Sequence, residues 1–319
     1  MELRRAVSGM FMFATILVGT GFCQNENDLI SGPLSGVTFA PEPGHLGLTV
    51  QYISTSSTSS FDSDGKEHDL NEYNERIADP GYKRSMSALR GEYTISKNLG
   101  LFVIIPFVNS QELEWNLEPT YMGALNDLSG QTGVGDIMVG GWFQVVKSSQ
   151  LAVNISGAYY MATGSSPDET TTAELGSTGN GHTSTGAGIS ADFVVSSKIL
   201  LSLGGEYVLN QEADYSFDDV AMTVEYGNEM LLGGRLTYSM SNNLSLGMNA
   251  DYLASDKMKV DGQESDDTEA TAVILTPMIG HHDTTNKLNM RISGGYQLTY
   301  AGSNILKYDG LRFGLYIIF

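Results

Sequence analysis

The chain nearly lacks cysteine: among its 319 residues there is one, Cys23, close to the amino terminus. Beyond it no disulfide framework and no thiolate metal site can exist, which removes a whole class of function. Long apolar runs are missing too. The longest nearly unbroken one in the body of the chain is Leu99–Val108, far short of the roughly 18 residues that a spanning helix needs. Basic residues are few, 17 Lys and Arg against 37 Asp and Glu, and the net charge of −20 makes nucleic acid an unsuitable partner. Proline is sparse at 8 residues, whereas Gly (37), Tyr (16) and Phe (12) are plentiful. Aromatic girdles and glycine-relieved crowding between strands are what a lipid-facing barrel requires.

Met1 to Cys23 has the three parts of an export signal. Arg4 and Arg5 supply the positive start, Met10–Val18 is apolar apart from Thr15, and small residues follow at Gly19, Gly21 and Cys23. Cleavage after Gly21 or after Cys23 would satisfy the signal peptidase, and the large Phe22 argues against lipidation of Cys23. The expected division is a signal peptide over 1–23, a periplasmic segment over 24–45 and one barrel over 46–319. An exported chain without a spanning helix is soluble in the periplasm, secreted, or a β-barrel.

Side-chain alternation decides among these. A strand shows successive residues to opposite faces, and twelve segments of this chain alternate in that way. At the carboxyl terminus Leu311, Phe313, Leu315, Ile317 and Phe319 share one face, and Gly310, Arg312, Gly314 and Tyr316 the other. In the first segment Leu46, Leu48, Val50 and Tyr52 align. Two segments, Leu101–Val108 with Pro106 and Thr271–Ile279 with Pro277, are ambiguous in facing. Connections alternate in length: short turns such as Ser96–Leu99, Ser196–Ile199 and His282–Lys287, long ones such as Thr55–Gly81, Ala162–His182 and Ser255–Glu269. Short periplasmic turns and long extracellular loops on an even number of strands are the outer-membrane pattern. The predicted fold is all-β, a transmembrane antiparallel barrel of about twelve strands, in the outer membrane of a Gram-negative cell.

The terminal strand resembles that of Gram-negative outer-membrane barrels. In that group the pattern polar-x-Gly-x-x-apolar-x-aromatic, here Arg312, Gly314, Ile317 and Phe319, is the signal read by the barrel-insertion machinery. Shorter motifs narrow the resemblance: Gly133-Val134-Gly135-Asp136, Val139-Gly140-Gly141, Thr163-Gly164-Ser165, Gly186-Ala187-Gly188 and Gly204-Gly205. With the aromatic end they make the chain, from Gly44 to Phe319, similar to the transporter-like barrels grouped under the meta-pathway of phenol degradation. Met161-Ala162 stands where that family has a Pro before Thr163-Gly164. The resemblance implies passage of small hydrophobic molecules and carries over no binding residue.

Opposite the apolar rows stand Arg90, Glu92, Asp136, Asp192, Glu206, Arg235, Asp251 and Arg291. In a barrel these point inward, because Arg or Lys on the lipid face at mid-depth costs on the order of 2–4 kcal/mol. They form either an interior network that plugs the barrel or a polar lining that selects solutes. Acids outnumber bases in this set, so a channel lined by them should favour cations or neutral solutes over anions. No metal ligands, cofactor or catalytic group is expected: His182 and Ser184 lack an orienting acid and an oxyanion donor, and His281-His282-Asp283 falls in a short turn. The acids of the first and fifth long loops, among them Asp62, Asp64, Asp266 and Asp267, suit solvation or bridging by divalent cations. Two functions follow. One is a channel or transporter for passive uptake of small, hydrophobic or aromatic solutes. The other is a non-transporting structural or surface-interaction barrel whose acidic loops bind cations. Membrane lipid and the insertion machinery are partners under both.

Overall fold

Strands that show an apolar row to lipid and a mixed row inward satisfy their backbone groups only by pairing on both sides, and a closed sheet does this for every strand. The computed structural model describes residues 43–70, 77–117, 128–169, 176–217, 220–283 and 289–319; the expected signal peptide and nearly all of the segment before the barrel lie outside them. Its long strands are β1 (Leu46–Ser57), β2 (Ile77–Ser96), β3 (Leu99–Leu117), β4 (Ile137–Lys147), β5 (Leu151–Met161) and β6 (Ser184–Ser196). They continue as β7 (Ile199–Asn210), β8 (Glu229–Ser239), β9 (Leu244–Ser255), β10 (Ala270–Asp283), β11 (Asn289–Ser303) and β12 (Asp309–Ile318). Each pairs antiparallel with its neighbours in sequence. β12 returns to β1, from Ile318↔Gly47 to Asp309↔Ser56, and the Phe319 N–H donates to the Leu46 carbonyl at 2.9 Å. The protein is a closed twelve-stranded antiparallel barrel.

Outward rows are those the alternation predicts: Leu46, Val50, Tyr52, Phe143, Ile189, Leu236, Phe313 and Phe319 are all exposed. The strand bounds differ above the membrane. β2 and β3 run 20 and 19 residues, against about 9–11 for a crossing, so part of the expected Thr55–Gly81 loop is strand. There the outward row is Lys83, Ser85, Ser110 and Glu112, and without lipid outside it the apolar alternation is lost. The His282–Lys287 turn lies mostly outside the described residues, and β10 reaches Asp283.

Both ambiguous prolines lie in barrel strands, each at a break in one ladder. β3 pairs with β4 from Leu99↔Phe143 to Ile104↔Met138 and resumes at Phe107↔Val134. Between them the Gly135 N–H donates to the Pro106 carbonyl at 2.9 Å, which shows that the missing Pro106 N–H also faces β4. Pro277 likewise falls between Leu275↔Leu298 and Met278↔Gly295 of the β10–β11 ladder.

Short strands close the extracellular end. Ser59–Phe61 pairs with Glu67–Asp69 and with Ile305–Leu306. A second small sheet joins Ala213–Phe217, Val220–Glu225, Lys259–Val260 and Gln263–Glu264.

Candidate functional site

The barrel interior has two storeys. Near the periplasmic turns the inward row is polar: Gln144, Asn154, Asp192, Ser202 and Asn249 are all buried. The upper storey carries an apolar cluster. Ile53, Ile104, Met138, Tyr160, Val208, Leu231, Leu253 and Ile274 form one buried cluster with Phe61 and Ile305, which come from the extracellular loops. Alternation alone assigns the inner face to polar residues throughout, whereas in this half an apolar cluster occupies much of it, with Arg84, Gln111, Gln297 and Thr299 buried beside that cluster.

In the lower storey the expected lining residues are held by specific partners. Glu92 accepts from Trp142 Nε1 at 2.7 Å through one oxygen and from Arg90 Nη2 at 3.1 Å through the other. The Arg90 guanidinium also lies 4.7 Å from the centre of the Phe102 ring, a cation–π arrangement. Ser202 donates to Asp192 at 2.5 Å, Tyr160 to Glu206 at 3.0 Å, and Arg235 Nε to Asn249 Oδ1 at 2.8 Å. Asp251 and Arg291 lie on the same inward rows, half-buried.

Asp136 does not belong to this lining. It precedes β4 at the extracellular rim, and its carboxylate is a hub for the loop between β5 and β6. Oδ1 accepts the N–H groups of Thr163 and Gly164 at 3.0 and 2.9 Å, and Oδ2 that of Asn180 at 2.7 Å. The motifs Gly133–Asp136 and Thr163–Ser165 are thus two halves of one clasp. Its glycines are required by close approach: a Cβ on Gly164 would lie 2.7 Å from Gly179 Cα, and one on Gly179 would strike the Asp136 carboxylate. Burial raises the Asp136 carboxyl, against the pull of the three N–H donors.

Arg312, which the sequence places in the insertion signal, also has a place inside. It alternates with the outward Leu311 and Phe313 and lies within electrostatic range of Asp251 and Arg235. With Asp136 removed and Arg312 added, the lower storey holds Glu92, Asp192, Glu206 and Asp251 against Arg90, Arg235, Arg291 and Arg312. The excess of acid on which the expected cation preference depends does not exist there.

His182 and Ser184 have separate partners. Ser184 donates to Asn210 Oδ1 at 2.7 Å, while the buried His182 ring stacks on Tyr226 at 4.6 Å between centres. Tyr215 donates to the Asn180 carbonyl at 2.6 Å; burial raises its pKa and pushes that of Tyr226 up to about 12, so both stay protonated. Burial lowers the His182 pKa below its ordinary value of 6.5. The folded state therefore binds fewer protons than the unfolded one. Stability from this cluster is complete above about pH 6.5 and declines as pH falls from there towards the lower folded-state value. Melting temperature should drop over that window, and His182→Phe should flatten the drop; an unchanged profile would remove His182 as its source.

Several of the loop acids have protein partners. Asp62 accepts from the Asp64 and Lys66 N–H groups at 3.0 and 2.8 Å and meets His68 Nε2 at 2.8 Å. Glu67 pairs with Lys307 at 2.9 Å and Asp266 with Lys257 at 3.0 Å. Among the described residues, no group of three or more His, Cys, Asp or Glu is placed to hold a metal ion.

Residues 76–315 match the family described as "Putative MetA-pathway of phenol degradation". The chain belongs to this family. The fold of this family member is similar to that of the COG4313 outer membrane channel from Pseudomonas putida F1, with a TM-score of 0.67 and 16% identity over 89% of this chain and 97% of that one. It is similar, at a TM-score of 0.48 and 12% identity, to the translocator domain of the autotransporter NalP from Neisseria meningitidis, over 93% and 95% of the two chains. No curated protein sequence matches. The phenol-degradation family member is an outer-membrane barrel.

Proposed function

We propose that the barrel is a channel for passive passage of small hydrophobic or aromatic solutes across the outer membrane. The observation that carries this reading is the apolar upper storey. A conduit for ions or sugars gains nothing from buried Ile104, Leu231, Leu253 and Ile274 on its inner wall, whereas a hydrophobic solute loses no hydration there that it needs. The balanced charges below make a poor path for such a solute. Ile104 and Met138, both of the apolar storey, form the last pair before the β3–β4 ladder breaks at Pro106. The ladder is weakest there, bridged across Pro106 by the single Gly135 N–H bond, and parting at this point would give the solute a lateral way into the membrane.

The test is uptake by cells or proteoliposomes carrying the protein. A monoaromatic hydrocarbon should enter faster than in empty controls, a sugar of similar size should not, and bilayer conductance should be small. Pro106→Ala restores an N–H to the interrupted ladder and should slow the hydrocarbon severalfold. Equal passage of sugar and hydrocarbon would overturn the reading. No passage of either would favour the second reading, a non-transporting barrel, which the buried and hydrogen-bonded interior supports.

Assembly supplies a further expectation. The Phe319 side chain lies on the lipid-facing row while its N–H closes the seam to Leu46. As the aromatic end of the insertion signal with Arg312, Gly314 and Ile317, its deletion should cut outer-membrane levels sharply. Equal surface amounts of the full-length and truncated proteins would dismiss that role.

A further inference from the structure

We propose that the strip formed by Thr163–Glu169 and Gly176–His182 is a removable cover over the apolar storey, latched shut by the Asp136 carboxylate. This rests on the passage of hydrophobic solutes argued above, since a cover matters only if something enters beneath it. The strip reaches inward from the rim at β5 and β6. At one side Gln111 of β3, buried and pointing inward, donates through Nε2 to the Ser177 carbonyl at 3.1 Å. At the other, Tyr215, beyond β7, donates to the Asn180 carbonyl at 2.6 Å. The strip touches both and so spans the mouth from β3 to beyond β7, beside the two small sheets of the extracellular end.

Its composition makes it separable from what it covers. The strip is Thr, Gly, Ser and Asn for most of its length, and short of His182 its fastenings are hydrogen bonds, while the buried His182 ring at its end stacks on Tyr226. Ser165 and Thr178 bond each other, so the two limbs stay together as one unit. Segments with few buried apolar contacts open at low free energy while the barrel remains folded. The Asp136 carboxylate carries more of the fastening than any other single group, while Gln131 and Ser216 add bonds to Gly176, Glu169 and Asp168. Three N–H groups from both limbs converge on one carboxylate, and charge-assisted bonds of this kind are about twice as strong as neutral ones.

Release of Asp136 should therefore free the strip without unfolding the barrel. Asp136→Asn keeps the shape of the side chain but turns one acceptor oxygen into a donor that faces an N–H. The readout is Ser177→Cys, a position only 3% exposed, in a Cys23→Ser background that leaves no other thiol. A membrane-impermeant maleimide on whole cells should label the introduced thiol slowly with Asp136 in place and at least tenfold faster with Asp136→Asn. Tyr215→Phe, which removes one side fastening, should accelerate labelling by less. Heat-modifiable gel migration checks that each variant is assembled, and Tyr215→Phe keeps the test open if Asp136→Asn is not. Rapid labelling with Asp136 in place, or equal rates in all three assembled proteins, would overturn the latch. Hydrocarbon uptake is measured in parallel. Faster labelling with faster uptake supports both readings; faster labelling with no uptake in any variant supports the latch and defeats the channel.

Discussion

Replacing Gly310 by valine is expected to leave almost no assembled barrel. Gly310 lies in β12 opposite Thr55 of β1, at the ladder that closes the sheet. A Cβ built there would run into the Ser54 carbonyl oxygen and lie 2.6 Å from Thr55 Cα. Both obstacles are backbone, so no rotamer change relieves them. The two strands would have to separate, which breaks the adjoining hydrogen bonds of the only ladder that joins β1 to β12. Gly157→Ala is the control, because the nearest atom to a Cβ there is 3.8 Å away. Unboiled samples on a gel should show the compact, fast-migrating form for Gly157→Ala and for the parent, and little or none for Gly310→Val. Comparable compact bands in all three would mean that the seam tolerates a side chain at this position.

Loss of Glu92 should be the most costly single truncation in the lower storey. Its two oxygens serve Trp142 and Arg90, whose side chains sit in the same buried corner. The Arg90–Glu92 pair is only 10% and 13% exposed. Breaking a buried pair from one side leaves a charge without compensation, at a cost of about 3–5 kcal/mol. Glu92→Ala should therefore shift the unfolding midpoint strongly. Replacing Arg90 and Glu92 together by Leu should restore most of the loss, because both desolvation penalties then disappear. Urea unfolding in detergent checks this, with Glu92→Ala alone, Arg90→Leu alone and the double replacement. Purely additive losses would show that the two residues do not act as a pair.

Facing is readable from the chain wherever lipid lies on one side. Ile189, Leu203, Leu236 and Phe313 are outward in the structure as their spacing requires, and Arg90, Asp192, Arg235 and Arg291 are on the inward rows. Above the membrane that contrast disappears, and the upper parts of β2 and β3 pass for loop. The apolar storey is harder to see, since period two tells which residues share a face but not how an inner face changes with depth. A signal is present nonetheless. Met138, Tyr160, Val208, Leu231 and Leu253 are apolar residues on the otherwise polar face, each within a few positions of an extracellular strand end. Asp136 escapes the alternation for a different reason. It keeps the spacing of β4 but lies one residue before its start, at the break in the β3–β4 ladder, and its partners come from another loop.

The pairing of Gly47 with Ile318 sets the order of events during assembly. Neighbouring hairpins can form as soon as their turns do, but this ladder needs both ends of the described chain at once. Contacts so distant in sequence form late, since the entropy of bringing the ends together is spent before any bond rewards it. Until then the outer edges of β1 and β12 each present a row of unpaired N–H and C=O groups, flanked by side chains meant for lipid. Such edges pair readily with any strand they meet. The chain is thus most vulnerable to aggregation at the moment when every other ladder is already complete.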